Sequence, residues 1–256
     1  MKNIFREIRG KNGYFDKMSL DAKDLENFHG VIYKNIINNI SSLSEKAGID
    51  FAKYPISKYH EFLTSHPELV HEKMWPKKNR LLKPDDVDLI RNSSFFRELI
   101  REFPGILISN EEGIYPEEVY WRICRPIQYG GLCDVGPMHA DQWFWALGHG
   151  REMSGFQRVK IWVSIFNEMG MSGFRYVSGS HNHSFPYIGV MKDGFIKPAI
   201  QVLEGDLDIE VFLSRPGDII AFHDKLLHGG MVGGNLTRVS LEFTILVPDQ
   251  IYYKNT

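Results

Sequence analysis

The sequence predicts a mainly β protein with N-terminal helices, its core an antiparallel barrel or jelly roll. Three observations lead there. Between Ser19 and Glu102 apolar residues recur at three- and four-residue steps, the spacing of a helix face. After Pro104 the pattern changes to short runs rich in β-branched and aromatic residues, separated by Gly, Pro and Asn. No internal repeat, low-complexity tract or linker divides the two regions. One domain over 1–256 is therefore expected, helical over about 1–104 with a jelly-roll core over about 105–250.

The first helix opens at Ser19-Leu20-Asp21-Ala22, where Ser and Asp can accept from free backbone N–H groups. Its apolar stripe is Leu25, Phe28, Val31, Ile32, Ile36, Ile37 and Ile40. A second helix is predicted near Ser57–Ser65 and a third near Asp85–Phe103. The predicted strands are Glu118–Ile127, Met138–Leu147, Val159–Asn167, Phe174–Val177, Leu207–Leu213, Asp218–Phe222 and Arg238–Val247.

Composition removes several function classes. The chain has 256 residues, 43% hydrophobic and 24% charged, with net charge −2 and no block of Lys and Arg. A nucleic-acid surface, which needs many phosphate-neutralising cations, is not expected. Apolar runs such as Ile219-Ile220-Ala221-Phe222 are far too short to span a bilayer. The N-terminal MKNIFREIRGKNGYF has no apolar stretch of the secretory kind. Cys124 and Cys133 stand nine apart, which suits neither a cysteine zinc site nor a disulfide framework. A soluble cytoplasmic protein is expected, with no nucleic-acid or membrane partner.

Within GPMHADQWFW, residues 136–145, His139 and Asp141 stand two apart. With 10 His and 15 Asp in the chain, chance alone supplies His-x-Asp about 0.6 times, so the spacing must be judged by its setting. On a strand, residues i and i+2 share a face, and both side chains can reach one ion. His66-Pro67-Glu68 has the same spacing but is expected at a helix start, where such residues diverge. A third ligand is available in DIIAFHDKLLHGGMVGGNLTRVSLEFTI, which carries His223 and His228 before a glycine-rich turn and a last strand starting at Arg238. Two histidines and one carboxylate suit iron(II) and leave coordination positions open. Arg238 and Ser240 share a face of that last strand, where a guanidinium fork can clamp a carboxylate.

These motifs resemble the iron(II)- and 2-oxoglutarate-dependent dioxygenases, especially the phytanoyl-CoA dioxygenase-like branch. The matching residues are His139-Ala140-Asp141, Trp162 followed by Ser178-Gly179-Ser180-His181, Pro216-Gly217-Asp218, His228 and Arg238-Val239-Ser240, over about half the chain. Ser178 stands where the family turn usually has Pro, and Ala140 replaces a frequent Gln. The resemblance implies a double-stranded β-helix, or cupin-like jelly roll, and iron(II) held by His139, Asp141 and His228. It also implies 2-oxoglutarate bound by Arg238 and Ser240 beside Trp162, with O2 as the third reactant. An intact Asp141 favours hydroxylation of a small molecule, with release of succinate and CO2, over halogenation.

On the predicted strand Trp143 and Trp145 point inward with the ligands and can shape a substrate pocket. Arg122 and Arg125 have opposite strand parity, and Arg125 is the candidate for an anionic substrate group. Two alternatives remain. One is a lectin-like jelly-roll module without turnover, and the other a cupin-type metalloenzyme using His181, His183 and His223.

Overall fold

A computed structural model describes residues 3–111, 113–150, 153–192 and 194–254. Its helices are α1 (Ile4–Arg9), α2 (Ala22–Leu43), α3 (Glu45–Phe51), α4 (Tyr59–Ser65), α5 (His71–Met74), α6 (Pro84–Asn92), α7 (Ser94–Glu102), α8 (Gln142–Ala146) and α9 (Asp249–Tyr252). The predicted first helix is α2. Its N-cap is Asp21, whose Oδ1 accepts from the Asp24 N–H at 2.8 Å. The predicted third helix is split. Ser93 has extended backbone at ψ 149°, ends α6, and caps α7 by accepting from the Phe96 N–H at 3.2 Å. Its cap geometry outweighs the continuous apolar periodicity.

Eleven strands follow the chain among the described residues: β1 (Tyr14–Ser19), β2 (Leu107–Ile108), β3 (Val119–Cys124), β4 (Phe156–Phe166), β5 (Gly173–Tyr176), β6 (Tyr187–Lys192), β7 (Phe195–Ile200), β8 (Glu210–Leu213), β9 (Asp218–His223), β10 (His228–Gly230) and β11 (Arg238–Pro248). A six-stranded antiparallel sheet has the order β1-β9-β4-β11-β2, with β3 also paired to β11. A three-stranded sheet has the order β10-β5-β8, and β6 pairs with β7 alone. Crossovers between non-consecutive strands and two facing sheets are the jelly-roll pattern.

Strand alternation sorts the large sheet's two faces. Val159, Ile161, Val163 and Ile165 of β4 and Val239, Leu241, Phe243 and Ile245 of β11 join one hydrophobic cluster with Phe28, Ile32, Ile36 and Ile40 of α2. The helices therefore cover the sheet's outer face. Trp162, Ile220 and Phe222, of opposite parity, pack against Phe174 and Tyr176 of the small sheet. The space between the sheets is where the motif residues converge.

Met138–Leu147 departs from the predicted strand. His139 forms one isolated antiparallel bridge to His228, and the chain then bends at Asp141 (φ −63°, ψ −33°) into α8. Burial drives this. α8 stacks Trp143 on Tyr187, with ring centroids 4.6 Å apart, over a small core of Met138, Ala140, Val177 and Leu227. Two residues apart on a helix point to different sides, so Trp143 and Trp145 do not share a face. The β6–β7 hairpin and the β1 edge strand were not predicted. Neither alternates cleanly in sequence, since β6 exposes Ile188, Val190 and Met191 and β1 carries an irregularity between Phe15 and Met18. No helix among the described residues is long and apolar enough to cross a membrane.

Candidate functional site

His139 and His228 face each other across the isolated bridge. The His139 N–H donates to the His228 carbonyl at 2.9 Å, and the His228 N–H donates back at 2.8 Å. Each imidazole then bonds the carbonyl two residues before it. His139 Nδ1 lies 2.9 Å from the Pro137 carbonyl and His228 Nδ1 lies 2.9 Å from that of Leu226. A carbonyl only accepts, so both Nδ1 atoms carry the proton and both Nε2 lone pairs are free. Asp141 Oδ1 is 3.8 Å from His139 Nε2, and its Oδ2 is 3.6 Å from His228 Nε2.

Among the described residues, His139, Asp141 and His228 are the single group of three or more metal-capable side chains whose ligand atoms all lie within 4.8 Å of one another. Burial lowers the His228 pKa to about 4, so the ring is a neutral ligand at physiological pH. Burial pushes the Asp141 carboxyl up, but the Lys160 ammonium beside it outweighs that and holds the group well below the usual range. Asp141 Oδ2 is buried. A carboxylate oxygen whose partner is the Lys160 ammonium 3.4 Å away, beside two imidazole lone pairs, fits a divalent cation, and this donor set suits iron(II).

Arg238 opens β11 and is 1% exposed. Its Nε donates to the Met231 carbonyl at 2.8 Å, Nη1 to Ser240 Oγ at 3.0 Å, and Nη2 to Cys124 Sγ at 2.9 Å, while the guanidinium lies 5.7 Å from the Trp162 ring centre. Among the described residues no carboxylate forms an ion pair with it. A buried, oriented guanidinium without a counter-ion is a site for an anion. Arg238, Ser240 and Trp162 are thus brought together on the face that carries the triad.

Lys160 and Glu111 were not singled out from sequence. Lys160 shares the inner face of β4 with Trp162, and its Nζ lies 3.4 Å from Asp141 Oδ2 and 3.8 Å from Glu111 Oε2. Burial disfavours its charge, but Asp141 and Glu111 outweigh that and raise its pKa. Parity within Val159–Asn167 was the available signal for Lys160. Glu111 lies in a loop and gave none.

Other expected site residues are placed elsewhere. Arg125 bonds Asp134 through Nε at 3.0 Å and Nη2 at 2.8 Å, and its Nη2 also reaches Glu72 at 2.8 Å. Its charge is already matched by two carboxylates, which removes the reason to expect it at an anionic substrate. Trp143 is packed in the small core, whereas Trp145 lies under the Arg158 guanidinium, 4.4 Å from its ring centre. His181 and His223 pack on each other with ring centroids 5.2 Å apart and do not join the triad. His223 Nδ1 contacts Asp224 at 2.9 Å.

No protein-family model matches the sequence, and no curated protein matches it. Solved structures do. A nickel complex of the non-haem monooxygenase ThoJ matches with TM-score 0.51 and 13% identity, over 95% of this chain and 79% of that one. The non-haem α-ketoglutarate-dependent carbocyclase SnoK from nogalamycin biosynthesis matches with TM-score 0.50 and 11% identity, over 96% of this chain and 84% of that one. At such identities the likeness concerns the fold. The chain has the jelly-roll fold that these two non-haem enzymes share, and His139, Asp141 and His228 form a cluster able to hold a metal ion.

Proposed function

We propose that the protein is an iron(II)- and 2-oxoglutarate-dependent oxygenase of the phytanoyl-CoA dioxygenase-like kind that hydroxylates a small molecule, releasing succinate and CO2. The observation that carries this is the pairing of two Nε2 lone pairs and the buried Asp141 carboxylate with a buried Arg238 that has no carboxylate partner among the described residues. His139, Asp141 and His228 would hold the iron, and the bound iron supplies oxygen activation driven by 2-oxoglutarate decarboxylation.

The protein's own groups orient and exclude. The Pro137 and Leu226 carbonyls fix both imidazole tautomers. Arg238 and Ser240 would bind the distal carboxylate of 2-oxoglutarate, with the Met231 carbonyl and Cys124 Sγ holding the guanidinium in place. Trp162 and Phe174 wall that position from water. Lys160 partly balances the Asp141 and Glu111 carboxylates. The test is succinate release from 2-oxoglutarate under iron(II) and O2 with metabolite pools. Substrate-stimulated succinate from wild type but not from His228→Ala supports the proposal, and equal release from both contradicts it.

A further inference from the structure

The inner face of the large sheet carries a second group of charges that the metal site and the Arg238 clamp leave unused. On β3, Arg122 has the strand parity of Cys124, which touches Arg238, and so faces inward. Its Nε donates to Glu242 Oε1 at 2.7 Å and its Nη2 contacts the same oxygen, which leaves Nη1 without a partner among the described residues. Arg80 ends the short turn Lys77–Arg80, and the next residue, Leu81, bridges Tyr120 on the edge of β3 away from β11. The Arg80 Nε donates to the Trp75 carbonyl at 3.0 Å, while its two Nη groups meet no carboxylate among the described residues. Burial, and after it repulsion from Arg122, lowers the Arg80 pKa to about 10 against the pull of Glu242. Arg122, Lys160 and Arg80 thus act on the one Glu242 carboxylate, and Lys160 is already shared with Asp141 and Glu111. The Arg80 guanidinium has no carboxylate of its own.

This group is open to solvent. Side-chain exposure rises from Asp141 and Lys160, 14% each, through Glu242 at 24% to Arg122 at 44%. Accessible surface therefore runs from a proposed metal ligand to the arginines, and charge decides what it can hold. A half-buried guanidinium without a counter-ion favours an anion. An ammonium group is repelled, and a neutral group leaves the charge unmatched. A phosphate dianion brings two charges beside Glu242, whereas a carboxylate brings one, and its two oxygens suit the parallel N–H groups of a guanidinium.

We propose that Arg80 and Arg122 bind a carboxylate of the substrate, which is a small monocarboxylic acid rather than a neutral molecule, an amine or a phosphate ester. The proposal rests on the oxygenase reading, since it makes this acid the molecule oxidised at the neighbouring metal. The Arg80 Nη groups and Arg122 Nη1 donate to the carboxylate, and Glu242 holds Arg122 in place.

The test uses full-length protein with manganese(II) and 2-oxoglutarate, without oxygen and at constant ionic strength. Melting-temperature shifts are titrated with phenylacetate, hexanoate and cyclohexanecarboxylate, with the corresponding primary amides and amines, and with phenyl phosphate. At least one carboxylate should bind tenfold or more tighter than its amide. Arg80→Gln should weaken that carboxylate tenfold or more while the Kd for 2-oxoglutarate changes less than twofold. Because Arg122→Gln alone would strand Glu242, Arg122 is tested together with Glu242→Gln, which removes both charges and should weaken the carboxylate likewise. No binding by any carboxylate, equal binding of carboxylates and amides, tighter binding of phenyl phosphate, or affinity unaltered in Arg80→Gln each overturns the proposal. A tenfold loss of 2-oxoglutarate affinity in Arg80→Gln also overturns it, since the arginines would then serve the co-substrate. If 2-oxoglutarate does not bind the wild type, the oxygenase reading falls, and the same titration on the manganese(II) protein alone decides the carboxylate site.

Discussion

His139 and His228 exchange both backbone hydrogen bonds across a single bridge, and each holds its Nδ1 proton on the carbonyl two residues back. Backbone pairing thus sets the separation of two proposed ligands that are 89 positions apart in sequence, and local carbonyls set their tautomers. The rings are oriented before any metal arrives.

Metal binding should therefore depend on these side chains jointly. A ligand that binds only the folded state stabilises it by about 2.7 kcal/mol at a hundredfold excess over Kd. Manganese(II) should raise the melting temperature of wild type, and 2-oxoglutarate should raise it further. His228→Ala and Asp141→Ala should abolish most of the metal shift, whereas His181→Ala and His223→Ala should keep it. Loss of the shift in His181→Ala or His223→Ala with retention in His228→Ala would favour the cupin-type alternative.

Arg238→Leu should weaken 2-oxoglutarate binding by more than tenfold and leave manganese(II) affinity nearly unchanged. Truncating one side of a buried charge-assisted pair costs about 2–5 kcal/mol. Titration calorimetry of the manganese(II) protein reads both constants. Equal 2-oxoglutarate affinity in variant and wild type would place the carboxylate clamp elsewhere.

Lys160→Met should separate structural charge balance from metal binding. Removing one partner of a buried ion pair destabilises by about 3–5 kcal/mol, and here Asp141 and Glu111 would be left facing each other's charge. The metal-free variant should melt well below wild type. Manganese(II) should recover part of that loss, so its stabilising shift should be larger in the variant than in wild type. A smaller shift would mean that Lys160 supports the metal directly.

The acid limb of stability should report His71. Trp75 Nε1–H donates to Tyr59 Oη at 2.7 Å, Tyr59 bonds His71 Nδ1 at 2.9 Å, and His71 Nε2 reaches Asp134 at 3.2 Å. Burial lowers the His71 pKa to about 4 from 6.5, against the pull of Asp134. Between these values the unfolded chain binds the extra proton and the native state does not. Stability is then fully present above pH 6.5 and falls as pH drops toward 4, by about 1.4 kcal/mol per pH unit at most. Urea unfolding at several pH values should show a shallower slope for His71→Gln than for wild type over that window. Identical slopes would exclude His71 as the source.

The parts of the fold legible in sequence were those whose burial writes a local pattern. Helix α2 shows a helical stripe because one side meets the core, and β4, β9 and β11 read as runs of β-branched and aromatic residues because both their faces are buried. Met138–Leu147 misled because its bulky aromatics favour a strand intrinsically, while the stacking of Trp143 on Tyr187 is a long-range contact that local pattern does not encode. The proposed ligands still converged, since the bridge at His139 and the bend at Asp141 bring both side chains to His228. Glu111 was invisible because its partner Lys160 lies 49 positions away and its own loop has no period. Arg125 shows the reverse failure, a charge whose partners, Glu72 and Asp134, could not be seen from its strand position.

The most direct measurement is the visible spectrum of the protein titrated with iron(II) and 2-oxoglutarate under anaerobic conditions. Chelation of one iron by His139, Asp141, His228 and 2-oxoglutarate predicts a weak metal-to-ligand charge-transfer band that needs both additions, vanishes in His228→Ala, and requires more 2-oxoglutarate in Arg238→Leu. A folded wild-type protein that shows no such band at saturating iron(II) and 2-oxoglutarate contradicts the account.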